Sequence, residues 1–362
     1  MPVPEQRDPE ITRMVLTAWL TERMPDTRDL RVENLTTPGL TGFSSETVLF
    51  DLVWTDDEGE HREGLVMRGA PAGYEIFPEY DIEMQYRILE TLGADTDVPV
   101  PVTRGFEPDA ALLGTPFYLM EQVQGRIPPD NPTYAMDGWV LEVSPEERTA
   151  MWWSAIESMA RLHRVDWRGL GLDFVDRGEF GPPGLDQQLA YQRHYLEWAS
   201  RGKPQPVCEA ALEWIFEHRP TDEEPLAFSW GDARLGNMIF EEDTGRCLAV
   251  LDWEMASIAS PELDLGWFLG MHRHHTEGVD CPVPAGFPTR EETIERYGEL
   301  VGFTPRNVEF YEVFALYRFA VIMMRVAQML MDYELMPDDA DMETNNTATQ
   351  LLAKVLGLPA PT

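Results

Sequence analysis

The sequence predicts an α+β fold in which a small strand-rich unit precedes a larger, mostly helical one. Three observations predict it. Strand-like apolar runs dominate the first third, at 30–35, 47–54 and 64–68. Runs with apolar residues three and four apart fill most of the remainder. A turn-rich stretch with short strand patterns, residues 226–252, interrupts those helical runs. The 362 residues suffice for one large or two modest domains, and 43% hydrophobic with 25% charged residues is ordinary for a globular chain.

In order along the chain, Ile11, Met14, Val15, Ala18 and Trp19 share one helical face and predict an amphipathic helix. The three strand patterns follow, with the turn Asp56-Asp57-Glu58-Gly59 between the last two. Residues 81–92 read as a helix stopped by Gly93, and two more strands are expected at 101–106 and 117–123. Five strands and one inserted helix make a unit of about 120 residues, a plausible domain size. After Gln124-Gly125-Arg126 a Pro-rich loop (127–132) leads to helices at 145–164, 186–201, 207–218, 261–272, 290–300, 305–331 and 345–356. The boundary is therefore placed between 1–123 and 124–362. The longest apolar run, 310–331, contains Arg318 and Arg325. A membrane span needs about 20 nearly uncharged residues, so this run reads as a buried helix.

With 28 basic and 64 acidic residues the formal net charge is −36. Such a field repels nucleic acid and anionic membranes, and neither is expected as a partner. It attracts cations, including polyamine-like small molecules. Lysine occurs only as Lys203 and Lys354. Cys208, Cys247 and Cys281 are odd in number and lack paired spacing, which points to reduced thiols and a cytoplasmic setting. The first ten residues have neither a basic nor an apolar stretch of signal-peptide type. Oligomeric state is left open.

The segment 229–265 carries the chemistry. Asp232 and Asn237 lie five apart in a turn-like sequence, followed by a strand, a turn and a second strand ending in Asp252. That hairpin returns the chain and places Asp252 beside Asn237, near Asp232. Phosphoryl transfer needs one carboxylate to orient the acceptor hydroxyl and one or two further oxygen ligands for Mg²⁺. Asp, Asn and Asp suit a hard cation. A kinase catalytic loop has the spacing D-x-x-x-x-N, with a metal-binding Asp after a hairpin. An Asp and an Asn in a loop are, taken alone, ordinary turn and capping residues.

Trp230-Gly231-Asp232, Asn237, Leu251-Asp252-Trp253 and Ser260-Pro261-Glu262-Leu263-Asp264-Leu265 together closely resemble the aminoglycoside phosphotransferase family, in order and in spacing. The branch most similar is that of the kinase-like domain fused to some acyl-CoA dehydrogenases. The likeness extends to Ala160-Arg161-Leu162-His163, to Pro116-Phe117-Tyr118-Leu119-Met120-Glu121 and to Asp97-Val98-Pro99-Val100-Pro101. It implies a protein-kinase-like bilobal fold: an N-lobe of antiparallel sheet plus helix, and a mostly α-helical C-lobe. ATP and Mg²⁺ are implied as cofactors and a small-molecule alcohol as acceptor. Asp232 is the implied catalytic base, Asn237 and Asp252 the metal ligands, and the backbone from Glu121 to Val123 the adenine contact. Asp264 is expected to brace the catalytic loop.

Several positions depart from the family pattern. Trp230 stands where the family usually has His. Arg68 takes the place of the phosphate-gripping lysine on the third strand, keeping the charge with different geometry. For the helix glutamate that pairs with it, Gln85 and Glu83 compete. They are about 200° apart on a helix, so only one faces the site, and Glu83 is taken. The phosphate-covering turn is assigned to 41–47, with Ser44 and Ser45 offering hydroxyls.

His163 is read as structural, and His272, His274 and His275 as a helix end, since no cysteine or ligand spacing supports zinc. Arg234 is a candidate for phosphate or acceptor contact, and Tyr317 and Arg318 for one wall of the acceptor pocket. The expected function is ATP- and Mg²⁺-dependent O-phosphorylation of a small molecule. The family name and the acidic field favour an aminoglycoside, and the fused-domain branch suggests a hydroxyacyl-CoA. A nucleotide-binding pseudokinase is the third reading, motivated by Arg68 and the displaced glutamate.

Overall fold

Period-two alternation in the first strands sorts their side chains onto two faces, and two different partners bury those faces. In the computed structural model, which describes residues 7–37, 45–71, 73–221, 225–337 and 340–361, helix α1 (Pro9–Arg23) leads into β1 (Arg28–Thr36), β2 (Glu46–Thr55) and β3 (Glu60–Gly69). Helix α2 (Ile82–Asp95), β4 (Thr103–Glu107) and β5 (Phe117–Glu121) follow. The strands form one antiparallel sheet in the order β1-β2-β3-β5-β4. Val48, Phe50, Leu52, Leu65, Met67, Phe117 and Leu119 pack against Leu16, Trp19 and Leu20 of α1. The alternate residues Val66, Tyr118 and Met120 join the core shared with α2 and the rest of the chain. Arg68 has the same parity as Val66, so it faces away from α1.

Helix α2 is capped by Asp81, whose side chain accepts from the Met84 N–H. It runs past Gly93 to Asp95 and ends where the Thr96 N–H bonds the Leu92 carbonyl. Its buried residues are Ile82, Gln85, Ile88, Leu89 and Leu92, a stripe at helical spacing that includes Gln85 and excludes Glu83.

The remainder is mostly helical: α3 (Trp139–Glu142), α4 (Pro145–His163), α5 (Leu185–Ser200) and α6 (Pro206–His218), then four short strands, β6 (Ala227–Ser229), β7 (Met238–Phe240), β8 (Cys247–Val250) and β9 (Ser257–Ala259). Helices α7 (Glu262–His275), α8 (Arg290–Val301), α9 (Val308–Asp332) and α10 (Thr347–Leu356) complete it. β7 pairs β8 and β6 pairs β9, so the strand insert extends past Asp252 to Ala259. Helix α9 is apolar and long enough by composition to cross a membrane, yet 78% of its most apolar window is buried, and it packs against α5, α6, α7 and α10. The architecture is protein-kinase-like, an antiparallel sheet with helices α1 and α2 beside a helical lobe.

Candidate active site

The catalytic loop is built around one buried carboxylate. Asp264, in the first turn of α7, is fully buried. Its Oδ1 accepts from the Ser229 hydroxyl and the Gly231 N–H, both at 2.8 Å. Its Oδ2 accepts from the Trp230 N–H at 2.7 Å and lies 2.9 Å from His163 Nε2. The other ring nitrogen of His163 meets the Tyr297 hydroxyl at 2.5 Å. Burial alone pushes a carboxyl up, but His163 and these donors more than offset it and hold Asp264 below the usual carboxylate range. The brace expected of Asp264 is thus a set of four hydrogen bonds, two to the backbone N–H groups of Trp230 and Gly231, one to the Ser229 hydroxyl and one to His163. Gly231 is required here: its φ is +91°, and a Cβ would lie 2.1 Å from the Met255 carbonyl oxygen.

Trp230 explains its own departure from the family pattern. Its indole N–H donates to the carbonyls of Leu251 (2.8 Å) and Asp252 (3.0 Å), tying the catalytic loop to the end of the hairpin. It is fully buried and packs near Trp253, with ring centroids 6.0 Å apart.

Asp232 follows, with its carboxylate held by three donors. Oδ1 accepts from Arg234 Nε (2.9 Å) and from the Trp267 indole (2.8 Å), and Oδ2 from the Asn237 amide (2.7 Å). Trp267 lies three residues after Asp264, so one face of α7 presents both to the loop. Because Asn237 spends its amide nitrogen on Asp232, its carbonyl oxygen is the group left for a cation. The Leu251 N–H donates to the Asn237 carbonyl at 2.9 Å, and Met238 pairs with Val250, so the hairpin register brings Asp252 beside Asn237 as expected. Asp252 has φ +60°, a conformation that costs a non-glycine residue energy and occurs often at functional sites.

Arg68 reaches this hairpin from the sheet. Its guanidinium pairs with the Asp252 carboxylate and donates to Thr47 Oγ1 at 2.8 Å. Register explains the cluster, because Arg68 stands opposite Thr47 on β2 and Tyr118 on β5. Burial disfavours its charge, but Asp252, Tyr118 and Glu254 together outweigh burial and raise the pKa above its ordinary value. Glu83 is a correction. It lies on the exposed side of α2, whereas Gln85 is 1% exposed and faces Tyr118, whose hydroxyl stands 3.5 Å from Gln85 Oε1. The buried helix position thus carries an amide, and the carboxylate that neutralises Arg68 is Asp252.

At the edge of the sheet the Glu121 N–H bonds the Val102 carbonyl and the Gln122 N–H the Gly64 carbonyl. Among the described residues no backbone carbonyl takes the Val123 N–H. Ser45 is buried, 3.3 Å from Glu254 Oε2, on the sheet side of the same cleft. Ser44 and the rest of the turn up to it lie outside the described residues.

One charged group at the loop, Asp130, has no local signal in the residue pattern. Asp130, in the Pro-rich loop, pairs with Arg234, which thereby bridges it to Asp232. Burial raises and Arg234 lowers the Asp130 pKa, and Arg234 wins. Tyr317 and Arg318 part company: the Tyr317 hydroxyl donates to the Gln192 carbonyl on α5, whereas Arg318 Nη2 donates to the Gly231 carbonyl at 3.1 Å. Only Arg318 therefore adjoins the loop. His274 and His275 are buried and His272 is half-buried, and desolvation pushes His272, His274 and His275 down to about 3, 3 and 4. Among the described residues no three His, Cys, Asp or Glu side chains converge as a metal cage. A cation here would rest on Asp252, the Asn237 oxygen and ligand oxygens, the mode of Mg²⁺ rather than of zinc.

The sequence pattern of the phosphotransferase enzyme family matches residues 45–311. The chain belongs to this family. Among curated proteins it is 27% identical over 299 residues to the Arabidopsis thaliana protein named Probable acyl-CoA dehydrogenase IBR3, covering 78% of this chain and 34% of that one. It is 31% identical over 271 residues to acyl-CoA dehydrogenase family member 10 of Mus musculus, covering 72% and 24%. The match thus spans about a quarter to a third of the length of these relatives. Among solved structures, a Ralstonia eutropha protein assigned to the aminoglycoside phosphotransferases superimposes with TM-score 0.66 at 24% identity, over 94% of this chain and 95% of that one. Aminoglycoside phosphotransferase APH(4)-Ia, in a ternary complex with AMP-PNP and hygromycin B, gives 0.55 at 15% identity, over 94% and 98%. These likenesses show the fold, and the expected resemblance to the family and to the acyl-CoA dehydrogenase branch holds.

Proposed function

We propose that this phosphotransferase moves the γ-phosphoryl group of ATP, with Mg²⁺, onto a hydroxyl of a small molecule. The convergence of Asp232, Asn237 and Asp252 with Arg68 carries this reading. The nucleotide would lie between the units 1–123 and 124–362, its adenine against the free Val123 N–H and the backbone at Glu121. Arg68 and Asp252 neutralise each other. Each suits one half of a metal–phosphate pair, the guanidinium the phosphate oxygens and the carboxylate the cation. Bound Mg²⁺ supplies charge neutralisation to the phosphates.

Asp232, oriented by three donors, accepts the hydrogen bond of the acceptor hydroxyl. The acceptor oxygen forms its bond to the γ-phosphorus as the bond from that phosphorus to the bridging oxygen breaks. ADP leaves with the electron pair, and the hydroxyl proton passes to Asp232 and then to solvent. Catalysis rests on positioning and charge neutralisation.

The bound hygromycin B of the APH(4)-Ia complex supports an aminoglycoside as acceptor. The names of the curated relatives support a second reading, a hydroxyacyl-CoA. Purified protein with Mg²⁺ and ATP is offered aminoglycosides, hydroxyacyl-CoAs and simple alcohols, and products are followed by ³¹P NMR. One phosphorylated acceptor formed per ADP supports the reading and names the acceptor. Nucleotide binding without any transfer would favour a pseudokinase instead.

A further inference from the structure

Arg318 is 2% exposed, yet most of its donors are unused. A guanidinium has five N–H bonds, and Arg318 spends Nη2 on the Gly231 carbonyl. Nε and Nη1, with three N–H bonds between them, are buried and meet no acceptor among the described residues. The plane is held over the Trp267 ring at 4.5 Å, and Trp267 is itself a donor to Asp232. Its contacts with the Gly231 carbonyl and the Trp267 ring place Arg318 against the residues that flank and hold Asp232. Asp232 and Asp264 act on Arg318 through their charge, but among the described residues no carboxylate forms an ion pair with it. Burial, the largest influence, lowers its pKa to about 10. A buried guanidinium without a partner is destabilising, and folds that retain one usually use it.

A second arginine stands close by. The charge of Arg177 is felt at Arg318. Arg177 lies 4.1 Å over the Tyr191 ring and donates to the Glu254 backbone carbonyl at 3.5 Å. Asp232 and Asp264 act on Arg318 through their charge, yet among the described residues no carboxylate forms an ion pair with either arginine, and Arg318 keeps buried donors for an anionic ligand.

We infer that Arg318 and Arg177 form an anion-binding subsite beside Asp232, so that the preferred acceptor carries a carboxylate or phosphate close to its reacting hydroxyl. The inference rests on the phosphotransfer reading and deepens it. It runs against the whole-chain charge, which favours a polycationic acceptor. The local arrangement decides, because charge-assisted hydrogen bonds in a buried site are far less screened than the surface field.

The test uses acceptors in matched pairs: glycerate and glyceramide, 3-hydroxybutyrate and 3-hydroxybutyramide, glycerol 3-phosphate and glycerol. For each, kcat/KM with MgATP and the thermal stabilisation by the compound alone are measured in wild type, Arg318→Gln and Arg177→Gln. Arg177 is only half-buried, so its variant guards against a folding defect in the other. The anionic member should be preferred by about 10- to 100-fold, and either substitution should shrink that ratio towards one. The carboxylate and phosphate arms show which anion is taken. Equal rates within every pair, or a preference that survives both substitutions, overturn the subsite while leaving phosphotransfer intact. If no alcohol is phosphorylated, anion stabilisation that needs Arg318 still supports the subsite, and stabilisation that is absent or indifferent to Arg318 overturns it.

Discussion

Replacing Asp264 by Asn probes the brace beneath the catalytic loop without changing its shape. In the wild type each carboxylate oxygen takes two donors. In the variant an NH₂ replaces one oxygen. If it replaces Oδ2, His163 can accept from it by changing tautomer, with its other nitrogen donating to Tyr297, but the Trp230 N–H is left facing a donor. If it replaces Oδ1, the Ser229 hydroxyl can turn and accept, but the Gly231 N–H is orphaned. Either way one buried backbone N–H loses its acceptor, at about 1–3 kcal/mol, and the surviving bonds lose charge assistance. The expected loss is about 2–4 kcal/mol, or roughly 3–5 °C in Tm for a chain of this size. Thermal melts at neutral pH by circular dichroism measure it. The difference has a pH signature. The folded carboxyl lies below its ordinary value. Its stabilisation is therefore full above the unfolded pKa of about 4 and is lost as pH falls through the lower folded value. The gap between wild type and variant should narrow only in acid. A shift under about 1 °C at pH 7 would refute the four-bond brace.

Three other outcomes are expected. Trp267→Phe keeps an aromatic ring under Arg318 but removes one of three donors to Asp232 and leaves a small cavity, so kcat should fall about 10-fold or more while Tm falls by a few °C; an unaltered kcat contradicts the role of that indole. Glu83→Ala should leave nucleotide affinity and stability unchanged within about 0.5 kcal/mol, because its side chain is exposed, whereas Gln85→Ala should cost about 1–3 kcal/mol of stability in urea titrations. His272, His274 and His275 have folded pKa values of about 3, 3 and 4, so the stability of keeping them neutral is present above the unfolded value near 6.5 and lost as pH falls towards 4. Tm should drop over that window, less so in His275→Asn, and NMR should show no titration of the three rings above about pH 5.

The fold was legible where a side chain's environment follows from spacing. Apolar runs bounded by turn residues marked β1, β2 and β3 as strands, and the loop–hairpin pattern from Asp232 to Asp252 placed three candidate residues on one short segment. The same logic, applied to α2, identifies Gln85 rather than Glu83: position 85 lies on the apolar stripe with Ile82, Ile88, Leu89 and Leu92, and a family expectation of a carboxylate concealed it. Strands β6 and β9, three residues each, are too short to show a period. Asp130 meets Arg234 across 104 residues and Arg318 meets Gly231 across 87, contacts that no local pattern encodes. Trp267 was closer to reach, three positions along the helix from an Asp already assigned to the loop.

The central claim is that Asp232 orients the acceptor for phosphoryl transfer. The most direct measurement is single-turnover transfer from MgATP by wild type and Asp232→Ala, with nucleotide affinity determined in parallel. The account predicts transfer reduced by a factor on the order of 10² to 10⁴ with nucleotide still bound. An unchanged rate in Asp232→Ala would contradict it.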